Sequence, residues 1–365
     1  DHRAGLYIFG QNRYRSGYDY DGDGFTELPK LKNQTVGFRS YLKTSTYSKL
    51  TFEYHHMQEF RRGGDMLDRP PQTSTINRML QHSIDGGSLK FDYFSPDEKN
   101  RLSIFASAAN TDRDSYYGPG NDPLKAYGKT TDLTAMGGAQ YVHTFDKCFF
   151  MPSDLTAGLE YNRDRLKDNM WGYDRHTDQT VNIYSAFLQN EWKNDRWGIL
   201  IGGRLDKHNM VDNVIFSPRA NLRFNPTQNI NLRLSYSSGF RAPQAFDEDM
   251  HIENVGGTVA MIERAKNLKE EKSQSFSASA DMYHRFGVFQ TNFLIEGFYT
   301  RLTDVFVLGE PYDRGDGILV KTRSNGPGAK VMGLTLEGKV AYLSILQIQA
   351  GLTLQRSRYD EPHKW

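Results

Sequence analysis

A chain of 365 residues that is 38% hydrophobic and 24% charged contains no run near the ~18 consecutive apolar residues that a membrane-spanning helix requires. Its 45 Lys and Arg against 44 Asp and Glu leave a formal charge of +1, which removes the electrostatic case for a dedicated nucleic-acid binder. The single cysteine, Cys148, excludes an intramolecular disulfide framework and a cysteine-rich metal site.

Through most of the chain apolar and polar residues alternate with a period of two, as a strand with one greasy and one wet face requires. In chain order the alternation predicts strands near 5–14, 35–44, 50–54, 88–95, 101–109, 133–144, 153–162, 181–192, 198–207 and 216–224. It continues near 230–237, 274–284, 290–300, 331–340 and 346–354. That makes roughly 15 strands and no long amphipathic helix. The connections fall into two classes. Short ones include Thr46-Tyr47-Ser48, Pro96 to Asn100, Lys193 to Arg196, Asn225 to Gln228 and Arg285-Phe286-Gly287. Long polar ones are expected near 15–33, 61–81, 113–130, 165–179, 241–272 and 302–328. Short turns at one edge and long loops at the other describe an up-and-down meander whose two ends face different environments.

Alternation alone fits a soluble sandwich as well as a membrane barrel. The ends of the apolar face favour the barrel. Tyr54, Phe91, Tyr93, Tyr161, Trp192, Phe224, Tyr236 and Tyr299 sit near strand ends, where aromatic girdles meet the two membrane interfaces. The opposite faces carry Arg39, Glu53, Lys90, Asp92, Glu160, Arg204, Asp206, Arg219, Arg223, Arg233, Gln347 and Gln349, which suit a hydrated or plugged lumen. The expected fold is therefore all-β: an antiparallel up-and-down transmembrane β-barrel, with residues 1–365 forming part of a single barrel domain.

One strand ends in Gly239-Phe240-Arg241-Ala242-Pro243 and opens a long loop that closes at Asn267-Leu268-Lys269-Glu270-Glu271. This pair of motifs resembles the barrel signature of TonB-dependent outer-membrane receptors, with Glu270 in place of the family's usual proline and Glu271 keeping the acid. Phe60-Arg61-Arg62-Gly63-Gly64 and Asp68-Arg69-Pro70-Pro71 look like receptors of this family found in the Bacteroidetes. The resemblance implies a bacterial outer-membrane location and an N-terminal plug domain with a TonB box. It also implies a barrel of about 22 strands, so the chain reads as an internal piece lacking the plug and the C-terminal strands. The partners it implies are TonB, acting through the plug, the lipid bilayer, a small-molecule nutrient and a surface lipoprotein. Arg241 and Pro243 are as readily architectural, pairing a lumenal acid or ending a strand, as ligand contacts.

Asp19, Asp21, Asp23 and Glu27 stand at positions 1, 3, 5 and 9 of an acidic loop with Gly24 at position 6, the spacing of an EF-hand calcium loop. Position 12 is Lys30 instead of glutamate, and no helix flanks the loop. It reads as a calcium-ordered extracellular loop, resembling those of the cobalamin branch of the family, or as a hydrated acidic turn. No cofactor is required, and on the first of these readings the loop holds a structural calcium. Arg61, Arg62, Tyr116, Tyr117, Trp171 and Tyr173 lie on the long-loop edge, where a bulky ligand docks by stacking and by charge. Cys148 lies in an apolar stretch and reads as an inert thiol. His55 and His56 point to opposite faces of a strand and cannot share one metal. No nucleophile, base and orienter group together, so the chain does not read as an enzyme. The expected function is active, TonB-dependent uptake of a bulky scarce nutrient such as cobalamin or another corrinoid. A ferric-siderophore or haem receptor of the same family is close behind. A passive porin and a soluble extracellular β-sheet binding protein are the readings from other classes.

Overall fold

The computed structural model of the protein describes residues 3–118, 127–250, 252–255 and 258–361. The wall strands begin with β1 (Ala4–Arg15), β2 (Lys30–Ser45), β3 (Ser48–Gly64), β4 (Asn77–Phe94), β5 (Asn100–Gly118) and β6 (Tyr127–Cys148). They continue through β7 (Met151–Met170), β8 (Arg175–Lys193), β9 (Trp197–His208), β10 (Ile215–Thr227) and β11 (Ile230–Arg241). Two loop strands, β12 (Glu253–Val255) and β13 (Thr258–Arg264), precede β14 (Glu271–Phe286) and β15 (Phe289–Thr303). Three more, β16 (Phe306–Leu308), β17 (Tyr312–Asp313) and β18 (Ile318–Asn325), precede β19 (Ala329–Tyr342) and β20 (Leu346–Tyr359). One helical turn, α1 (Asp247–Met250), lies between β11 and β12.

Fifteen strands form one antiparallel sheet in the order β1 through β11, then β14, β15, β19 and β20. This is the expected count and topology, and a single continuous sheet rules out the two-layer sandwich. The register shows why the sequence must fold this way. Leu222 sits opposite Leu234, Leu234 opposite Ala278, Ala278 opposite Gly297, Gly297 opposite Leu334 and Leu334 opposite Leu354. The same apolar face continues backward through Ile201, Leu188, Leu159, Ile104, Leu89 and Phe52 to Leu6 and Ile8. These side chains are exposed (Leu159 65%, Leu354 58%, Leu234 54%), as a lipid-facing belt requires. On the other face Arg223 opposes Arg233 and Arg39 opposes Glu53. Arg204 bridges Glu160 at 2.6 Å and Asp206 at 2.8 Å. A slip of one residue in any strand would exchange these faces and put charge into lipid, at about 2–4 kcal/mol for each Arg or Lys near the midplane.

All eight expected girdle aromatics lie on the apolar face, and they fall into two bands. Toward the long loops Tyr161 packs on Tyr184 at 4.9 Å and Tyr236 on Phe276 at 4.8 Å. Toward the short turns Trp197 stacks on Phe224 at 4.2 Å and Phe289 lies 5.1 Å from Tyr342.

The sequence-based loop boundaries need correction in two places. The expected loop at 165–179 is mostly ladder: β7 and β8 stay paired up to Met170 and Arg175, and only Trp171–Tyr173 forms a single 3-10 turn. The expected loop at 113–130 likewise holds paired strand up to Gly118 and from Tyr127; its centre lies outside the described residues. Above the lipid belt both faces of a strand are wet, so alternation fades while the hydrogen-bonded ladder continues. The loops at 241–272 and 302–328 carry a sheet of their own. Here β12, β13, β18 and β16 pair in that order, β17 joins β18, and β13 runs parallel to β18.

Candidate functional site

The loop sheet packs against the polar face of the wall, at the long-loop end. Met261 and Ile318 of the loop sheet and Ile252, just before β12, form a buried cluster with Tyr117, Met170 and Tyr173 of the wall. Beside this cluster is a network of buried charge. Asp168 is fully buried; its carboxylate accepts from Thr130 Oγ1 at 2.6 Å and from Arg175 Nη2 at 2.8 Å. Arg113 donates to Thr130 Oγ1 at 3.1 Å and lies 3.6 Å from Asp168. Arg175 reaches across to the carbonyls of Asp249 and Met250 at 3.2 and 2.8 Å, and Arg323 pairs with Asp249 at 2.8 Å. Burying so many charges is tolerable only because each carboxylate has both a cation and a neutral donor beside it, Arg175 and Thr130 at Asp168 and Arg323 and the Phe246 N–H at Asp249. The period-two pattern puts Asp164, Leu166, Asp168 and Met170 on one face of β7, and that was the sequence signal for this network. Without the loop sheet there was nothing in the sequence to say what that face met.

Under the loop lies a cavity of about 330 Å³ with a mixed polar and apolar lining. Wall residues His82, Thr111, Arg113, Thr130, Asp132 and Asp164 line it on one side, and Ala245, Phe246 and Met250 close it on the other. The family-like motif residues build this closure. Arg241 lies over the Phe246 ring at 3.8 Å and faces Phe306 at 5.5 Å. Ala242 is buried with Val211, Ile215 and Phe240, and the Pro243 carbonyl accepts from Arg264 at 3.1 Å. Glu271 accepts the Phe306 backbone N–H at 2.8 Å. Leu268 N–H bonds to the Ala265 carbonyl at 3.2 Å, and Lys269 exchanges hydrogen bonds with Asn325. Asn267 is exposed, and Gly239 sits in the ladder opposite Ser273.

Of the six residues expected to contact ligand, two are accessible. Arg61 is exposed beside Glu59 at 2.6 Å, and Trp171 is 56% exposed at the turn tip. The other four are structural in place. Arg62 is buried and donates to the carbonyls of Arg69 and Met66 and to Ser74. Tyr116 is fully buried, edge-on to Tyr127. Tyr117 and Tyr173 are buried together, the Tyr173 hydroxyl donating to the Tyr117 carbonyl at 2.8 Å. Loop position alone did not separate anchors from open contacts.

Asp19, Asp21, Asp23 and Glu27 converge, their nearest carboxylate oxygens all within 4.8 Å of one another. Asp19 gathers the loop by accepting the N–H of Gly22 at 2.7 Å and of Gly24 at 2.9 Å. Both glycines have positive φ, 76° and 91°, which suits residues without a Cβ. The loop stands on the same edge as the loop at 65–76, tied to it where Thr26 N–H meets the Gly64 carbonyl at 3.2 Å. In that neighbouring loop Asp65 is buried. Burial pushes its carboxyl up, but the Thr75 and Ile76 amides at 3.0 and 3.1 Å outweigh it and hold it below the usual aspartate range.

Residues 2–364 match the family model described as "TonB dependent receptor-like, beta-barrel". Among solved structures the siderophore receptor PirA of Pseudomonas aeruginosa is similar in fold, with a TM-score of 0.78 at 13% identity, covering 99% of this chain and 61% of that one. A mutant form of the ferric enterobactin receptor PfeA of Pseudomonas aeruginosa gives 0.75 at 15% identity, covering 97% and 57%. The FrpB iron transporter of Neisseria meningitidis gives 0.72 at 15%, covering 98% and 59%. The chain thus spans about three fifths of the length of these relatives. No curated protein matches it in sequence.

Proposed function

Because the chain belongs to the TonB-dependent receptor-like β-barrel family of the bacterial outer membrane, we propose that it supplies most of the wall and an outer gate of a receptor for active uptake of an anionic iron chelate. The family is one of transport receptors, which fits binding and passage in place of catalysis. The observation that carries the ligand class is the cluster of five arginines where the gate meets the wall. Arg113, Arg175, Arg241, Arg264 and Arg323 gather there with Asp168 and Asp249, and movement of the gate would present these guanidinium groups to an anionic chelate. Siderophore and iron receptors among the similar folds support the same reading. Arg61 and Trp171, open at the long-loop edge, are the first contacts in this scheme. In the whole receptor a plug fills the lumen, and TonB does the work of moving it; a surface lipoprotein is a further partner.

The corrinoid reading, and with it the likeness to Bacteroidetes and to the cobalamin branch, rests on the acidic loop. Four carboxylates that close together would offer calcium several of the six to eight oxygens it takes. One experiment separates these readings: binding and uptake of a ferric siderophore and of cobalamin by the intact receptor, in cells with and without TonB, in calcium or in chelator. The iron reading expects the ferric chelate to bind in both strains and enter only with TonB, with or without calcium. Cobalamin binding that needs calcium would transfer the assignment to the corrinoid. Uptake at an equal rate without TonB would replace the receptor with a passive pore.

A further inference from the structure

Several short turns put one residue in the left-handed region, and what stands there differs from turn to turn. Between β4 and β5 it is Glu98, with a φ of 57°, and between β14 and β15 it is Gly287, also at 57°. Between β6 and β7 it is Phe149 at 61°, and between β19 and β20 it is Leu343 at 47°. A bulky apolar residue is strained at such an angle, where glycine or asparagine is the ordinary choice. Packing would normally offset that strain, yet Phe149 is 84% exposed and Phe150 beside it 57%. Both rings lie toward the apolar face of the wall. Phe150 stacks on the girdle residue Trp192 at 5.6 Å, and Phe149 lies 6.4 Å from the same indole. Trp192 is itself fixed to the turn, its Nε1–H donating to the Cys148 carbonyl at 3.0 Å. The neighbouring strands β5 and β8 are in place on either side, so this exposure is not that of a sheet edge.

A second place on the wall repeats the pattern. The Leu343 N–H donates to the Val288 carbonyl at 3.2 Å and ties two turns together, and Phe286 and Val288 are exposed there beside the Phe289–Tyr342 pair. Other short turns are polar. The turn between β8 and β9 is Asn194-Asp195-Arg196, and in the turn between β4 and β5 Lys99 pairs with Asp146. A turn that ends in water gains nothing from an apolar side chain, least of all from one held at a strained angle. The apolar turns instead continue the lipid belt, through Trp192 at one place and through Phe289 and Tyr342 at the other, and short turns of such barrels lie on the periplasmic side. We propose that Phe149 and Phe150, and further along the wall Phe286 and Val288, insert into the periplasmic leaflet at the boundary between the glycerol groups and the acyl chains of its phospholipids. These turns then end in lipid, whereas those at Asp97 and Asp195 end in water. Burial of the rings in the leaflet offsets the strain at Phe149 that the barrel leaves uncompensated.

The test uses the intact receptor in phospholipid vesicles, with Cys148→Ser as the background. A nitroxide is attached at Phe149→Cys, at Val288→Cys or, as the aqueous reference, at Asp195→Cys. Its relaxation is read with oxygen, which concentrates in lipid, and with a water-soluble nickel chelate. A shift in gel mobility on heating reports that each variant remains a folded barrel. The labels at 149 and 288 should be relaxed more by oxygen than by nickel, and the label at 195 the reverse. Nickel relaxation at 149 equal to that at 195 would overturn the proposal. Weak relaxation by both agents at 149 would mean that another part of the receptor or a protein partner covers the turn, which would overturn the lipid assignment. The native ring is tested by Phe149→Asn, which suits the turn and removes the apolar group. Its denaturant midpoint in vesicles should fall; a midpoint that stays or rises, as relief of strain alone would give, would overturn the proposal.

Discussion

The wall and the loop sheet share strand geometry but differ in how their pairings are reached. In the wall each strand pairs with the next wall strand along the chain, so a hairpin or a single excursion closes every contact. In the loop sheet β13 pairs in parallel with β18, Val259 opposite Ile318 through Arg264 opposite Arg323, with β14 and β15 intervening. The parallel pair must therefore close across a long excursion that contains two wall strands. The wall is therefore specified by local alternation and a solvent of lipid. The loop sheet depends on what the wall offers it, chiefly the Asp168 network and the cluster around Met261.

The largest expected effect breaks that dependence. Asp168→Ala removes the carboxylate shared by Arg113, Arg175 and Thr130 and leaves two buried guanidinium groups without it. Breaking a buried pair from one side costs about 3–5 kcal/mol. The loop at 242–270 should become susceptible to limited proteolysis while the β1–β11 ladder keeps its amide protection. Unchanged proteolysis of that loop would mean that the apolar cluster alone holds the sheet in place.

The converse variant tests the wall. Leu234→Arg puts charge on the lipid face and should lower stability by about 2–4 kcal/mol, whereas Ser235→Arg, one residue on, points into the lumen and should change it little. Denaturant unfolding in vesicles reads both. Similar losses at the two positions would contradict the assignment of faces.

This contrast also explains what could be read from the sequence. Runs such as Ile230 to Ser237 carry face, register and strand identity in eight residues, because lipid on one side and water on the other impose a period of two. The girdle aromatics were legible for the same reason, each being defined by position along one strand, whereas the Gly239–Pro243 motif was legible through its resemblance to the family's barrel signature. The pairing of β13 with β18 was not legible, since neither segment alternates and the partners are distant in sequence. The burial of Tyr116, Tyr117 and Tyr173 followed the same rule. Tyr116 and Tyr117 lie in ladder that continues above the lipid belt and Tyr173 in the turn that ends it, and what covers Tyr117 and Tyr173 comes from loops distant in sequence. The acidic loop lies between these extremes, because the spacing of Asp19, Asp21 and Asp23 is local and so is their convergence.

The smallest effect concerns the loop at 65–76, which is built locally and should respond to pH locally. Gly64 has a φ of 111°, and a Cβ there would fall 2.0 Å from the Ile76 carbonyl oxygen, so the chain can turn here only with glycine. Asp65 then closes the loop by accepting the Thr75 and Ile76 amides. Its carboxyl is held below the ordinary value of about 3.9, so its contribution is fully present above that value and fades as pH falls through the lower folded value. Amide protection factors at Thr75 and Ile76 should therefore be constant from neutral pH to about pH 4 and decline below it. Over the same range the amides of β10 and β11, which no carboxylate among the described residues holds, should keep theirs. If the Thr75 and Ile76 protection begins to fail well above pH 4, Asp65 is not what closes the loop, and the division between a lipid-specified wall and side-chain-specified loops would need another basis at this edge.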